Sequence, residues 1–295
     1  MGGARFVRGV VDVAGATATS VIGNVGDDVE VLGLHVSPDL DSVLYALAGL
    51  NDEERGWGRA DETWNALATV SELGGESWFA LGDRDLGLHL VRTAALRDGV
   101  SLSAVTARFA RAFGIEATLV PATDDPLRTW IATPNGEFHF QEWFVARGHR
   151  DDVDGLRFEG AETARPAPGV VEAIEAAELL LIAPSNPYVS IAPILAVAEI
   201  RRALERRRVP CVAVSPLIGG RAVKGPADRM LQRLAGGTGP REVASCYEGL
   251  IDALVIDVVD ADAPADVRTI ATDTLMSGAD ARRRVAEVAL GAVAA

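Results

Sequence analysis

Four aspartates in the first part of the chain follow turns that lead into helices. They are Asp27, Asp28, Asp39 and Asp41. Carboxylates placed this way, together with the phosphate oxygens of a substrate, are the hard oxygen ligands that Mg²⁺ prefers. We therefore expect a magnesium site built from these aspartates, with Asn24 and Gly26 of the same first turn contacting the substrate.

Helical spacing separates two of these aspartates. Asp39 and Asp41 are two residues apart and point to nearly opposite sides of a helix, whereas Ser37, Asp41 and Tyr45 share one face. Asp39 is favoured as a first-turn residue that interacts with the helix dipole. Asp41 is the better functional candidate, against the alternative of a solvated helix face. Ser37 is expected to be the N-cap and a substrate contact.

A second charged group is Gly82-Asp83-Arg84-Asp85, after an apolar run at 78–81 that we interpret as a strand. Arg84 has the planar fork that clamps a diphosphate with two hydrogen bonds. Asp83 is expected to contact the same substrate. The alternative is an internal salt bridge between aspartate and arginine.

Two further turns offer backbone donors to an anion. Gly2 and Gly3 open a helix and let amides approach a phosphate, although a disordered terminus is the alternative. Ser185 and Asn186 end a strand and begin a helix, where they contact substrate or act as a helix cap.

The segment 215–226 is rich in glycine and carries two cations. Ser215, Gly219, Gly220 and Lys224 are its candidate contacts to phosphate, because backbone amides and an ammonium group cradle such groups. The segment has no Walker A pattern. A glycine-rich surface loop without a ligand is the alternative.

These segments need a scaffold of parallel strands. Short β-branched runs alternate with amphipathic helices, which is typical of a Rossmann-like parallel sheet with helices on both faces. Strands are expected at 18–24, 78–81, 115–120, 179–183, 209–215 and 253–257. Pro134-Asn135-Gly136 predicts a hairpin within a small inserted element at about 121–160 of a single domain covering 1–295. Ser101 and Gly114 bound one predicted helix, and another is expected at 279–295.

Composition excludes several classes of protein. The formal net charge of −14 argues against nucleic-acid binding, and the one dense basic run, Arg201 to Arg208, fits a solvated helix end. No apolar run has the length needed to cross a membrane. Cys211 and Cys246 lie far apart without a metal-binding or disulfide pattern, so a reducing cytoplasm is expected.

Taken in order, these segments resemble the 2-phospho-lactate transferase family called CofD in archaea and FbiA in actinobacteria. The resemblance covers nearly the whole chain. Its blocks are GGARF, NVGDD, SPDLDSVLYALAG, RGWGRADETW, GDRDLGLHLVR, HFQEW, APSNPYVSIAPIL and SPLIGGRAVKGPADRM.

The resemblance implies a Mg²⁺-dependent, usually homodimeric enzyme of coenzyme F-420 biosynthesis. Such an enzyme moves a phospho-lactyl or phospho-enolpyruvyl group from a guanosine diphosphate carrier to the deazaflavin Fo and releases GMP. Asp41 and Arg84 match the family's deazaflavin-binding pair. HFQEW and RGWG favour the enolpyruvyl donor. Phosphoryl transfer mainly requires positioning and charge neutralisation, so no covalent nucleophile is needed.

One departure concerns the start of the chain. Family members begin with a strand followed by GG-x-GGA-[KR], and here Met1 stands at the x. We expect that a GTG valine codon is read as the start, so that the first, central strand is missing. The natural protein would then be longer by about ten residues, one strand and its turn. The neighbouring strand edges would then be exposed.

Two other functions compete with the transferase. A CofD-like regulatory protein would bind a nucleotide sugar without turnover, but those relatives carry a DDGGSSG stretch where this chain has NVGDDVEVLGLHVSPDLD. A nucleotide-dependent oxidoreductase lacks support, because the chain has neither a complete GxGxxG fingerprint nor the acidic residue that binds the ribose in the matching position.

Overall fold

The computed structural model describes residues 2–292. Its helices are α1 (Gly2–Ala14), α2 (Pro38–Ala48), α3 (Asn65–Glu72), α4 (Asp83–Arg97), α5 (Leu102–Ala112), α6 (Val170–Ala176), α7 (Ala192–Ala196), α8 (Ala198–Glu205), α9 (Ala227–Ala235), α10 (Pro240–Ser245) and α11 (Ala279–Gly291). Its strands are β1 (Ser20–Gly23), β2 (Val29–Val31), β3 (Leu34–Val36), β4 (Thr118–Pro121), β5 (Arg128–Thr133), β6 (Gly136–His139), β7 (Gly155–Glu159), β8 (Leu180–Ile182), β9 (Cys211–Val214), β10 (Leu217–Ile218), β11 (Arg221–Ala222), β12 (Ala253–Asp257) and β13 (Arg268–Thr272). The expectation about Met1 lies outside the described residues, as do 293–295 of the predicted last helix.

The parallel strands form two sheets. Strand β1 pairs with β4, and a four-stranded sheet has the order β13-β12-β9-β8, parallel throughout. Within residues 2–292, β1 and β8 each carry a strand on one edge only. Strand β8 is half-buried, whereas β9 and β12 are buried along their whole lengths. The predicted α/β class, with parallel strands and helices, is confirmed.

Helices cover both faces of the four-stranded sheet. Successive side chains of a strand point to opposite faces, and in β9 Cys211 and Ala213 pack against α9 and α10. Val212 and Val214 pack on the other face, in a cluster that includes Phe6 of α1 and residues of α11. This alternation explains why the fully apolar β9 lies inside the fold. Cys211 is therefore a core residue, as predicted.

Most of the strand predictions are confirmed, with one error. Residues 78–81 form no strand; Leu81 instead packs beside Val31 and Val36 of the β2–β3 hairpin. An apolar run forms a strand only if a neighbouring strand accepts its hydrogen bonds, and here the run caps a small separate cluster. Strand β13 was not predicted, because its sequence RTIAT is not a continuous apolar run.

The predicted hairpin is present. Thr133 pairs with Gly136, which leaves Pro134 and Asn135 as the two-residue turn between β5 and β6, and β7 pairs with the other edge of β5. Buried Trp143 follows β6 and packs in one cluster with Ile131 of β5. That cluster includes Val189, which holds the hairpin beside the turn after β8. The treatment of 121–160 as an inserted part of a single domain stays a prediction.

Local signals account for helix boundaries. Helix α5 begins after Ser101, whose Oγ accepts the backbone N–H of Ala104 at 3.3 Å, and Gly114 follows with a positive φ of 69°. No helix within residues 2–292 is both long enough and apolar enough to cross a bilayer.

Candidate active site

A cleft of about 390 Å³ lies at the carboxyl ends of β8, β9 and β13, against the first turns of α1 and α2. Its polar side chains are Arg5, Asp27, Asp39, Ser42, Gln141, Ser185, Asn186, Ser190, Ser215, Lys224 and Thr274. Its apolar wall includes Trp57, Phe79, Phe140, Phe144, Val145, Val223 and Met276. Open α/β sheets bind ligands at this end of their strands, so we take this cleft as the candidate active site.

Asn24 joins two carboxylates at the floor of the cleft. Its Nδ2 donates to Asp27 Oδ1 at 3.2 Å, to Asp39 Oδ2 at 3.0 Å and to the carbonyl oxygen of Val189 at 3.2 Å. Its Oδ1 accepts the Gly26 amide at 2.8 Å. The turn after β1 therefore places Asp27 beside Asp39, although spacing alone favoured Asp39 as a dipole-facing residue.

The protein environment disfavours the charged forms of both carboxylates. Desolvation raises the pKa of Asp27 well above its ordinary value, and the negative charges of Asp39 and Asp28 raise it further. Desolvation also raises the pKa of Asp39. Two such carboxylates are stabilised by a bound cation.

The donor chemistry of the cleft fits Mg²⁺. Asp27 and Asp39 are hard oxygen donors that share one amide, and Mg²⁺ commonly takes one or two carboxylates together with substrate phosphates. Among residues 2–292, no group of three or more His, Cys, Asp and Glu side chains is arranged around a metal position. An ion held here would therefore keep positions open for substrate oxygens.

Asp28 does not line the cleft. Its Oδ2 accepts the Ser37 hydroxyl at 2.8 Å and lies 2.9 Å from His35 Nε2. Its Oδ1 is buried without a partner among the described residues. Ser37 precedes α2 but makes no side-chain cap bond, so the predicted N-cap is right in position and wrong in its bonding. The Ser37 hydroxyl ties the start of α2 to the turn after β1.

Asp41 is held in the interior by an arginine that sequence reasoning missed. Arg92 Nη1 donates to Asp41 Oδ2 at 3.0 Å, Arg92 Nη2 donates to Asp41 Oδ1, and the Arg92 side chain is fully buried. His89 lies within hydrogen-bonding distance of the same guanidinium. Asp41 does not line the cleft, and its charge is already paired.

Arg84 lies apart from Asp41. It is in the first turn of α4, eight residues before Arg92, a separation of roughly 12 Å along the helix. Its guanidinium is half exposed and is 3.9 Å from the exposed Asp61 carboxylate. The structure does not bring Arg84 into direct contact with Asp41.

Asp83 joins two helices. Its carboxylate accepts from Thr63 Oγ1 at 2.5 Å and from the backbone N–H groups of Asn65 and Ala66 at 3.1 and 3.0 Å. The Thr63 hydroxyl bond, followed by these backbone bonds, lowers the pKa of Asp83 to about 2. In the structure Asp83 therefore anchors the start of α3, and it does not line the cleft.

A prediction about pH follows from Asp85, which is buried next to Asp83. Its Oδ1 accepts the Tyr45 hydroxyl, and burial raises the pKa of Asp85 to about 6. The unfolded chain releases this proton near pH 3.9, so the folded protein binds one more proton between about pH 4 and 6. This raised pKa means that stability falls as the pH rises through that window, by about 3 kcal/mol from this one group.

Asp85→Asn keeps an acceptor for Tyr45 and removes the titration. The free energy of unfolding of this variant, relative to the original protein, should rise by about 3 kcal/mol between pH 4 and 7. Urea titrations at each pH measure it, with Asp280→Asn on α11 as the exposed control. Parallel stability curves for Asp85→Asn and the original protein would contradict the prediction.

The two glycines that open α1 lie against the turn after β8. A Cβ added to Gly2 would come 2.5 Å from the Pro184 carbonyl oxygen, and one added to Gly3 would come 2.5 Å from Ser185 Oγ. At Gly2 the obstacle is fixed backbone, so no larger residue fits there. Helix α1 therefore directs its amino end at the cleft, which Gly2 and Ser185 line.

Asn186 and Gly26 have local structural roles. Asn186 Oδ1 accepts the Tyr188 amide at 3.0 Å, and the residue also lines the cleft. The Gly26 carbonyl oxygen accepts the Thr129 amide at 2.6 Å. A Cβ on Gly26 would be 2.7 Å from Thr129 Oγ1, so this glycine lets β5 approach the turn after β1.

The glycine-rich segment divides into two parts. Gly219 and Gly220 form the turn between β10 and β11 with positive φ values of 58° and 70°, and they do not line the cleft. Ser215 and Lys224 do line it. Lys224 Nζ donates to the Arg55 carbonyl oxygen at 3.3 Å, which ties this segment to the loop that carries Trp57.

Arg5 and Gln141 are among the polar residues of the cleft that were not predicted. Arg5 lines the cleft from α1, and its Nη1 donates to the Met276 carbonyl oxygen at 3.4 Å. Gln141 Nε2 donates to the Asp27 backbone oxygen at 3.2 Å and to Asp27 Oδ2 at 3.3 Å. Both lie in blocks of the resemblance, GGARF and HFQEW, which could have indicated them.

Known proteins match this chain over nearly its full length. The family model described as 2-phospho-L-lactate transferase CofD matches residues 1–289. A phosphoenolpyruvate transferase of Streptomyces coelicolor is 43% identical over 301 residues, covering 98% of this chain and 94% of that protein. A 2-phospho-L-lactate transferase of Methanosarcina mazei is 36% identical over 293 residues, covering 98% and 96%.

A solved structure supports the fold. A UPF0052-family protein from Bacillus halodurans superposes with a TM-score of 0.63 at 16% sequence identity, covering 98% of this chain and 96% of that one. At this identity the likeness concerns the fold alone.

Proposed function

The chain belongs to the CofD family, and from this membership we propose that it transfers a phospho-enolpyruvyl or phospho-lactyl group from a guanosine diphosphate carrier to the deazaflavin Fo. The observation that carries the proposal is the pairing of Asp27 and Asp39 on Asn24 in a cleft that also contains Arg5 and Lys224. Such a set of groups binds a metal-complexed diphosphate.

The proposed step is a displacement at phosphorus. The Fo side-chain hydroxyl attacks the phosphorus atom that carries the lactyl or enolpyruvyl group, and a new P–O bond forms as the hydroxyl proton is lost. The bond to the bridging diphosphate oxygen breaks, and its electron pair leaves with GMP. The product is coenzyme F-420-0 or its dehydro form.

The residues of the cleft would position these groups. Asp27 and Asp39 would hold Mg²⁺, which neutralises charge on the diphosphate and favours departure of GMP. Arg5 on α1 and Lys224 on the segment after β11 would bind phosphate oxygens. The cleft's aromatic side chains, Trp57, Phe79, Phe140 and Phe144, offer apolar surface to the flat rings of both substrates.

The test is a transfer assay with purified protein, Fo and Mg²⁺. Each donor is supplied separately, and GMP and the F-420-type product are quantified by chromatography. We expect both products in equal amounts, more with the enolpyruvyl donor, and none in excess chelator. Hydrolysis of the donor without transfer to Fo would refute Fo as the acceptor. Full turnover in excess chelator would refute the requirement for Mg²⁺.

Binding of the donor with no turnover would favour the alternative, a CofD-like regulatory protein that binds a nucleotide sugar. The blocks NVGDD and SPDLD, in place of a serine- and glycine-rich stretch, favour the transferase. We further propose a homodimer, which light scattering tests, and a reducing cytoplasmic location, which suits the two free thiols of Cys211 and Cys246.

Arg84 provides a prediction that separates binding from folding. Arg84→Lys keeps the charge but removes the bidentate fork. If Arg84 binds substrate as the family resemblance implies, kcat/KM should fall by about 10- to 100-fold, the effect of losing a charged hydrogen bond. Thermal unfolding should be unchanged, because the guanidinium is half exposed. Arg111→Lys at the exposed end of α5 is the control, and equal activity of the two variants would rule out the clamp.

A further inference from the structure

A second cavity, of about 590 Å³, lies at the opposite end of the four-stranded sheet. It is open to solvent on one side and lies between helices α6 and α8 and the segment 206–209, next to the amino end of β9. The candidate active site lies at the carboxyl end of the same strand. Four residues of strand span roughly 13 Å, so the two cavities are separate.

Arginines dominate the polar lining of this second cavity. They are Arg202, Arg206, Arg207 and Arg208. The acidic residues that line it are Glu175 and Glu199, so the lining carries two excess positive charges in a protein whose formal net charge is −14. Val171, Ile174, Ala203 and Val209 supply an apolar wall.

Three of these arginines are exposed and one, Arg207, is largely buried. Arg207 is nine-tenths buried, and it donates to the carbonyl oxygen of Leu204 at 3.1 Å and to Asp252 Oδ2 at 3.1 Å. Its Nε is buried and has no partner. Throughout residues 2–292, the side chains of Arg202, Arg206 and Arg208 have no hydrogen-bond or ion-pair partner, whereas the nearby Arg201 pairs with Glu205 at 3.6 Å.

The helix dipole explains only part of this arrangement. Cations at the end of α8 interact favourably with its carboxyl terminus, but that effect is confined to the last turn. It does not explain why cations beyond the helix gather around a cavity, or why a buried guanidinium N–H lacks an acceptor. Guanidinium groups repel one another unless an anion lies between them.

We propose that this cavity binds a small organic polyphosphate. Its phosphate oxygens would accept from Arg202, Arg206 and Arg208, because guanidinium groups pair with phosphate through two parallel hydrogen bonds. The apolar wall at Ile174 and Val209 would contact the organic part of the ligand. The site is independent of the transfer reaction proposed above.

The test uses two variants of equal charge. One carries Arg202→Gln, Arg206→Gln and Arg208→Gln. The control carries Arg108→Gln, Arg111→Gln and Arg201→Gln, all outside the cavity. Surface substitutions of this kind change stability little, and thermal unfolding of both variants checks that the fold is retained.

Calorimetric titration with ATP at fixed ionic strength should show binding by the original protein and by the control variant. The affinity of the cavity variant for ATP should be at least tenfold weaker. Photolabelling with 8-azido-ATP should mark peptides from 170–209. Labelling confined to peptides of the candidate active site, or equal ATP binding by both variants, would overturn the proposal. Binding of tetraglutamate but not ATP would overturn the phosphate assignment.

Discussion

Asp39→Asn should lower kcat/KM for the transfer by about 10²- to 10³-fold, the usual effect of removing one electrostatic group that acts on the developing charge. Asp39 lines the cleft and shares the Asn24 amide with Asp27. An amide replaces a charged metal donor with a neutral one, so charge on the diphosphate would be less well neutralised. Steady-state kinetics over a range of Mg²⁺ concentrations measure the loss, and higher Mg²⁺ should recover part of it.

The same variant should keep or gain stability. Desolvation and the Asp28 charge both raise the pKa of Asp39, so removing this charge stabilises the native state. Asp266→Asn, in an exposed ion pair with Arg241, makes the same chemical change outside the cleft. Activity of Asp39→Asn equal to that of Asp266→Asn would remove Asp39 from the site.

Arg92→Leu should lower the free energy of unfolding by about 3–5 kcal/mol, because it leaves a buried carboxylate without its partner. Arg92 is completely buried and binds both oxygens of Asp41. Urea denaturation followed by circular dichroism measures the loss. The slope with denaturant should stay close to that of the original protein if the native fold is kept.

The double variant Arg92→Leu, Asp41→Leu separates a structural role from a binding role. Replacing both partners with apolar side chains should restore most of the stability. If Asp41 also contacts Fo, as the family resemblance implies, the restored protein should still have a raised KM for Fo. Full recovery of both stability and KM would show that Asp41 acts only within the fold.

The sequence predicted the parts of the fold that depend on local pattern. The runs at 209–215 and 253–257 become β9 and β12, because an apolar strand covered on both faces reads as a continuous apolar segment. The hairpin turn at Pro134-Asn135 was equally readable. The run at 78–81 has the same appearance and fails, since no neighbouring strand accepts its hydrogen bonds.

The site was predicted less fully, because its geometry depends on contacts between distant segments. Asp27 and Asp39 are twelve residues apart, and only the orientation of the Asn24 amide brings them together. The ion pair that occupies Asp41 joins residues 51 positions apart. Helical spacing gave the face on which Asp41 lies, but not the arginine on the helix opposite.

The divided sheet has a consequence for the exchange of backbone hydrogens with solvent. In a strand, successive amides point to alternate edges. The Leu180 amide donates to the Pro210 oxygen beside β9, so the Leu181 amide points to the edge on which no strand within residues 2–292 pairs. The same alternation in β1, where the Gly23 oxygen accepts from Ala122, turns the Ile22 amide outward. In deuterated water, Leu181 and Ile22 should therefore exchange much faster than Leu180 and the amides of β9, a period-two pattern that places rapid isotope uptake within the layered core.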